Sequence, residues 1–155
     1  MEKNLLGRDF PFADGILDGK TALVCGASKG IGRATALVLA RAGCRVIACA
    51  RSVGDLESLI EEMHGSGHEK LVLDMESLES ISTSVSDLGS VDILVNNSGG
   101  PPGGPLLGNS IEDFEGPFAR HLHGCHSRSR ELVPGRGSSG SGSMVISICA
   151  AVREP

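Results

Sequence analysis

Apolar positions along the chain follow two alternating periods. Thr21–Cys25 (TALVC) and Arg45–Ala50 (RVIACA) are short apolar runs of strand length, whereas Ile31–Ala42 and Val53–His64 repeat their apolar residues every three to four positions, as a helix face does. The first helical stretch carries Ile31, Ala34, Leu37 and Val38 on one face, with Arg41 at its end, and stops at Gly43. The second turns Leu56, Leu59, Ile60 and Met63 inward and closes at Gly65-Ser66-Gly67. Lys70–Asp74 predicts a third strand, a stretch from about Leu78 to Leu88 a third helix, and Val91–Asn96 a fourth strand. Alternation of this kind predicts βαβ units around a parallel sheet.

Beyond the fourth strand the pattern loosens. Ser110, with Asp113 three residues on, has the character of an N-cap, and Pro117 predicts a break between a short helix and a longer one. The longer helix carries Phe118, Leu122, Cys125 or His126, Ser129 and Val133 along one side. Gly135–Ser143 (GRGSSGSGS) has linker composition, and the β-branched run Met144–Ile148 predicts a buried fifth strand leading to Cys149.

Composition narrows what such a sheet can serve. At 155 residues the chain has room for one domain, and with four Phe and no Trp or Tyr its core is built from Leu, Val, Ile and Ala. A net charge of −5 without a basic run excludes the electrostatic footprint of a nucleic-acid binder. Five cysteines without a CxxC pair point to reduced thiols. No apolar run of membrane-spanning length and no charged-then-apolar leader occur, so a cytoplasmic protein without membrane contact is expected.

The densest chemical signal is LVCGASKGIGRA. A strand runs straight into Gly26-x-x-x-Gly30-x-Gly32, and the same residues open a helix. Glycines there let a pyrophosphate approach the backbone while unpaired helix N–H groups and the helix dipole face it. At the end of the second strand, an acid would hold a ribose 2′-hydroxyl; here stand Ala50-Arg51-Ser52, with Lys29 and Arg33 adding positive charge, which suits a 2′-phosphate and favours NADP over NAD. Asn96-Asn97-Ser98-Gly99 ends the fourth strand with amides and small residues beside which a ribose and nicotinamide can lie. Asp74 closes the third strand as a turn-former or as an acceptor for an adenine amino group. His121 and Cys125 share a helix face but His123 points away from it, so no metal site is expected.

Together these residues resemble the short-chain dehydrogenase/reductase family. Its T-G-x-x-x-G-I-G loop is matched by Cys25 through Gly32 with Cys in place of Thr, its N-N-A-G by Asn96-Asn97-Ser98-Gly99, and its Asp after the third strand by Asp74. The wording NNSGGPPGGPL is close to a bacterial branch labelled 3-oxoacyl-[acyl-carrier-protein] reductase-like. The resemblance implies an α/β, Rossmann-type doubly wound sheet of five parallel strands in the order 3-2-1-4-5. Residues 1–18 are then an N-terminal extension and residues 19–155 a dinucleotide-binding domain that ends after the fifth strand. The cofactor residues it implies are Gly26, Ser28, Lys29, Gly30, Ile31, Gly32, Arg51, Ser52, Asp74, Asn97, Ser98 and Gly99.

The family's reaction is NADPH-dependent interconversion of a carbonyl and an alcohol, with an Asn on the long helix, a Ser after the fifth strand and a Tyr-x-x-x-Lys beyond it. Here His121 stands at the Asn position, Cys149 at the Ser position, and the chain has no Tyr. Two readings follow: a truncated short-chain oxidoreductase, inactive as written, whose substrate is an unassigned small carbonyl, or a nucleotide-binding or regulatory module without catalysis. Because the long helix packs in subunit contacts in the family, association with a like or full-length subunit is also expected.

Overall fold

The computed structural model describes residues 10–75, 77–99, 106–108, 110–136 and 142–147. Five parallel strands form one sheet, β1 (Thr21–Cys25), β2 (Arg45–Ala50), β3 (Glu69–Val72), β4 (Ile93–Asn96) and β5 (Ser143–Ile146), in the order β3-β2-β1-β4-β5. Helices α1 (Gly30–Arg41), α2 (Val53–Glu62), α3 (Leu78–Ser86), α4 (Glu112–Phe118) and α5 (Gly124–Arg136) lie along it. This is the expected Rossmann-like α/β fold, and strand order reverses between β1 and β4, where such sheets open a crevice at their carboxyl ends.

β1 and β2 are apolar after their first residues, Thr21 and Arg45, because both of their faces are covered. On one face Ala22, Val24, Val46 and Ala48 meet Ala36, Leu37 and Ala40 of α1 and Leu56 and Leu59 of α2. On the other, Leu23, Cys25, Ile47, Cys49 and Leu94 meet Ile81 and Val85 of α3 and Leu132 of α5. At the opposite end from the crevice, Asp92 accepts from the Thr21 N–H at 2.9 Å and pairs with Lys20 Nζ at 3.2 Å, fixing β4 beside the start of β1. The segment ahead of the sheet is tied to the end of α1, with the Leu17 N–H on the Ala42 carbonyl at 2.9 Å and Asp14 on Arg41 at 3.0 Å.

Several faces differ from those expected. The buried side of α1 is Gly32, Ala36, Leu37 and Ala40, while Ile31 is 70% exposed and Ala34 also faces out. Small residues point inward because the helix starts in contact with the β1 turn, which leaves no room for a branched side chain. Pro117 does not separate two helices: α4 runs through it into a π-helical stretch, Ala119–His123, and on into α5. The wider i→i+5 turns rotate the helix that follows. As a result α5 buries Gly124, Arg128 and Leu132, while Phe118 and Leu122 are exposed. Ser110 makes only half of a capping box, its N–H donating to Asp113 Oδ2 at 2.8 Å, and the helix starts at Glu112. The fifth strand lies at the sheet edge, as the order 3-2-1-4-5 implies, but it is not buried: Met144, Val145 and Ile146 are exposed. Cys149, the side chain of Val133 and most of the Gly-rich stretch before β5 fall outside the described residues.

Candidate functional site

The crevice at the carboxyl ends of β1, β2 and β4 is a cleft of about 380 Å³. Its floor is the turn from β1 into α1. Gly26 and Gly30 have φ of +63° and +54°, the left-handed region that favours glycine. A Cβ on Gly26 would stand 2.6 Å from Asn97 Nδ2. Gly32 lies behind the turn, outside the cleft wall; its part is to let α1 approach the backbone of Gly26.

The turn delivers an open helix end to the cleft. Lys29 is the N-cap of α1 in an extended conformation, makes no side-chain cap bond, and is followed by a first turn without an acid. Ser28, Lys29, Gly30 and Ile31 all line the cleft. The first N–H groups of α1 and the positive end of its dipole therefore open onto it, uncompensated by side chains of the helix itself. That is the donor set a pyrophosphate needs.

Basic side chains mark one end. Arg51, immediately after β2, lines the cleft with its side chain exposed, and Lys29 reaches out 3.7 Å from Asp55. Arg33, expected to add charge here, is turned away: its Nη2 lies 2.6 Å from Glu62 and its Nη1 donates to the Asp55 carbonyl on α2. The local acid captures it. Ser52 is likewise spent on structure, accepting from the Asp55 N–H as the N-cap of α2. Asp74 lines the cleft, as do Ala50 and Met75, the last of which no sequence pattern singled out.

The other end is a hydrogen-bonded set of amides and hydroxyls. Asn97 Nδ2 donates to the carbonyls of Cys25 at 3.3 Å and Gly26 at 3.4 Å, and its Oδ1 accepts from Ser147 Oγ at 2.8 Å. One side chain thus joins the exits of β1, β4 and β5. Ser98 and Gly99 line the cleft beside it. His121, in the π-helical stretch, places Nε2 3.0 Å from the Gly99 carbonyl and Nδ1 3.0 Å from Ser98 Oγ. A carbonyl can only accept, so Nε2 carries the proton and Nδ1 accepts from the Ser98 hydroxyl. Asn96 turns the opposite way, into the protein, where its Oδ1 accepts from Arg128 Nε at 2.9 Å. Sequence periodicity missed Arg128 because it assigned the neighbouring Ser129 to the inner face.

Of the cofactor residues that the resemblance implies, all except Gly32 and Ser52 line one cleft, whereas Arg33 and Asn96 face away from it. A family model described as short chain dehydrogenase matches residues 20–154. L-xylulose reductase of Mesocricetus auratus is 35% identical over 132 residues, 85% of this chain and 53% of that protein. D-erythrulose reductase of Gallus gallus is 42% identical over 119 residues, covering 74% of this chain and 48% of its own length. Among solved structures, L-sorbose reductase from Gluconobacter frateurii, complexed with NADPH and L-sorbose, superposes with a TM-score of 0.82 at 25% identity, covering 92% of this chain and 57% of that one. The chain spans about half the length of the curated relatives it matches. With the family model matching from the strand before the glycine turn to beyond β5, the chain belongs to the short-chain dehydrogenase family.

Proposed function

We propose that the cleft binds NADP(H) and that these residues form the cofactor-binding part of a short-chain oxidoreductase interconverting a carbonyl and an alcohol. The observation that carries the reading is the uncapped, acid-free start of α1 opening into a cleft whose rim holds Arg51 and no acid at the end of β2. The donor set suits a pyrophosphate on the N–H groups around Ser28, Lys29, Gly30 and Ile31, with Gly26 leaving room for it. Arg51 and Lys29 hold the 2′-phosphate by charge-assisted hydrogen bonds. Asp74 accepts from the adenine amino group, while Asn97, Ser98 and Gly99 flank the ribose and nicotinamide. Gly32 supports the turn and Ser52 fixes the start of α2 behind Arg51.

When bound, the nicotinamide supplies or accepts the hydride. The residues of this chain bind and orient it. His121 and Ser98 hold one proton-bearing hydrogen bond at that end of the cleft, and the chain has no Tyr to act as the family's proton donor. Relatives named as reductases of L-xylulose and D-erythrulose, and an NADPH-dependent pterin aldehyde reductase of Arabidopsis thaliana, support a small carbonyl as the substrate class.

The test is titration of the 155-residue chain with NADPH and with NADH, followed by fluorescence, with ketose reduction assayed in parallel. NADPH is expected to bind at least about tenfold tighter than NADH, the effect of one charge-assisted contact, and the chain alone is expected to give no ketose reduction. Absence of NADPH binding, or tighter binding of NADH, overturns the cofactor reading; turnover by the chain alone overturns the division of labour.

A further inference from the structure

His121 and Arg128 stand about two helical turns apart on the run from α4 through α5, and both reach back to the end of β4. Arg128 is buried, and its Nε donates to Asn96 Oδ1 at 2.9 Å. Asn97 is tied to the carbonyls of Cys25 and Gly26 and to the Ser147 hydroxyl. The two residues ahead of Ser98 are thus fixed through their side chains to α5 and to the exits of β1 and β5. Ser98 enters the cleft from a rigid support, which a reacting side chain needs.

What Ser98 meets there is an imidazole held from behind. Its Oγ lies 3.0 Å from His121 Nδ1 and 3.5 Å from Nε2, while Nε2 donates to the Gly99 carbonyl at 3.0 Å. The carbonyl fixes the proton on Nε2, so the nitrogen nearer the hydroxyl is the one free to take a proton. Hydroxyl, imidazole and carbonyl stand in the order of a nucleophile, its base and the group that orients the base. Other described hydroxyls rest on groups that take no proton near neutral pH: Ser129 on the Cys125 carbonyl, Ser147 on Asn97 Oδ1, Thr35 on the Ile31 carbonyl. Ser98 is half-buried and His121 exposed, so a molecule in the cleft can reach the pair. Hydride transfer calls for no nucleophile, and the cofactor role leaves this order of groups unexplained.

We propose that Ser98 is an acyl-accepting nucleophile with His121 as its general base, and that the pair transfers the acyl group of a small ester to water. Ser98 Oγ attacks the acyl carbon as His121 Nδ1 takes the hydroxyl proton. The tetrahedral adduct expels the ester's alcohol oxygen, which leaves with the proton from Nδ1. Ser98 now carries the acyl group. Water attacks the acyl carbon and gives a proton to Nδ1; the bond to Ser98 Oγ breaks, and Nδ1 returns the proton to that oxygen. The products are a carboxylic acid and an alcohol, and nothing is oxidised or reduced. A cleft of about 380 Å³ admits a short acyl chain. Arg128 acts here only as a positioning residue, by holding Asn96 and with it the strand end that carries Ser98.

The experiment mixes the full chain with p-nitrophenyl acetate, follows release of p-nitrophenolate, quenches in acid and maps the peptides by mass. The expected result is a burst of about one p-nitrophenolate per chain, an acetyl group on Ser98, and a slower steady release as water removes it. Ser98→Ala, which restores the Ala of the family's N-N-A-G, should abolish the burst. His121→Asn keeps an N–H for the Gly99 carbonyl but no base for Ser98. It should slow acetylation of Ser98 at least about 100-fold, the low end of what a positioned general base contributes. Acetyl groups on Lys29 or other lysines with Ser98 unmodified overturn the site. An unchanged rate of Ser98 acetylation in His121→Asn overturns the part of His121. The map of the unsubstituted chain decides which residue is acylated even where a variant does not fold.

Discussion

Gly32 packs against Gly26 so closely that a Cβ on Gly32 would stand 2.1 Å from the Gly26 carbonyl oxygen. The obstacle is backbone, which cannot swing away as a side-chain tip can. Gly32→Ala must therefore push α1 off the turn or distort the turn itself. Overpacking of this kind costs about 1–3 kcal/mol, so the variant should unfold at clearly lower denaturant and lose most NADPH affinity, because the N–H groups of α1 move with the helix. A variant with the parent's midpoint and affinity would mean that α1 has slack at its start.

Arg51 invites the opposite kind of change. Its side chain is exposed and joins no ion pair among the described residues, so Arg51→Ala should leave stability within about 0.5 kcal/mol. If it meets a 2′-phosphate, NADPH affinity should fall about tenfold, one charge-assisted contact, while NADH affinity stays unchanged. Parallel titrations of both nucleotides read this directly. Equal losses for the two would assign Arg51 to the pyrophosphate or to general attraction instead.

The Asn97 side chain ties three strand exits together. Asn97→Asp keeps the acceptor for Ser147 but replaces the donor to the Cys25 and Gly26 carbonyls with a carboxylate oxygen. The loss should be about 1–3 kcal/mol, with two carbonyls left facing an anion. Ser147→Ala removes only one hydroxyl contact and should cost about 0.5–1.5 kcal/mol. Denaturant unfolding of the two variants checks the order. Equal costs would place the importance of Asn97 in its contact with Ser147 rather than in the glycine turn.

The legible parts of this protein are those where one local signal had a single solution. Thr21–Cys25 and Arg45–Ala50 could be bounded to the residue because apolar runs end in turn glycines or charges, and Gly26 and Gly30 were readable because the turn needs positive φ. What failed depended on packing at a distance. Ile31 and Ala34 fit a helical face as well as Gly32 and Ala36 do, and only the contact with Gly26 selects the small side. In α5 the π-helical turns after Pro117 shift the inward positions by a fraction of a turn, so Arg128 replaces the expected side chains; periodicity cannot see a change of helix type. Arg33 shows the same limit at the site, since its nearness to the glycine turn in sequence was overridden by Glu62 on α2.

Cys44 gives the chain an alkaline weakness that can be read without any ligand. Its thiol is buried and donates to the Lys20 carbonyl at 3.1 Å. Burial, together with the nearby Asp92 carboxylate, raises its pKa from 9.0 to about 11. The folded state thus holds the proton more tightly than the unfolded chain does. The resulting stability is fully present below the unfolded value of 9.0, and is lost as pH rises from there through about 11. Cys44→Ser keeps a donor for Lys20 and removes the titration. Denaturant unfolding at roughly pH 8 and roughly pH 10.5, either side of the thiol's unfolded value, should show the parent losing more stability than Cys44→Ser across the interval. No Tyr titrates in the same window, so a difference between the two chains belongs to the thiol. Equal losses would mean that Cys44 ionises in the folded protein as readily as in the unfolded one.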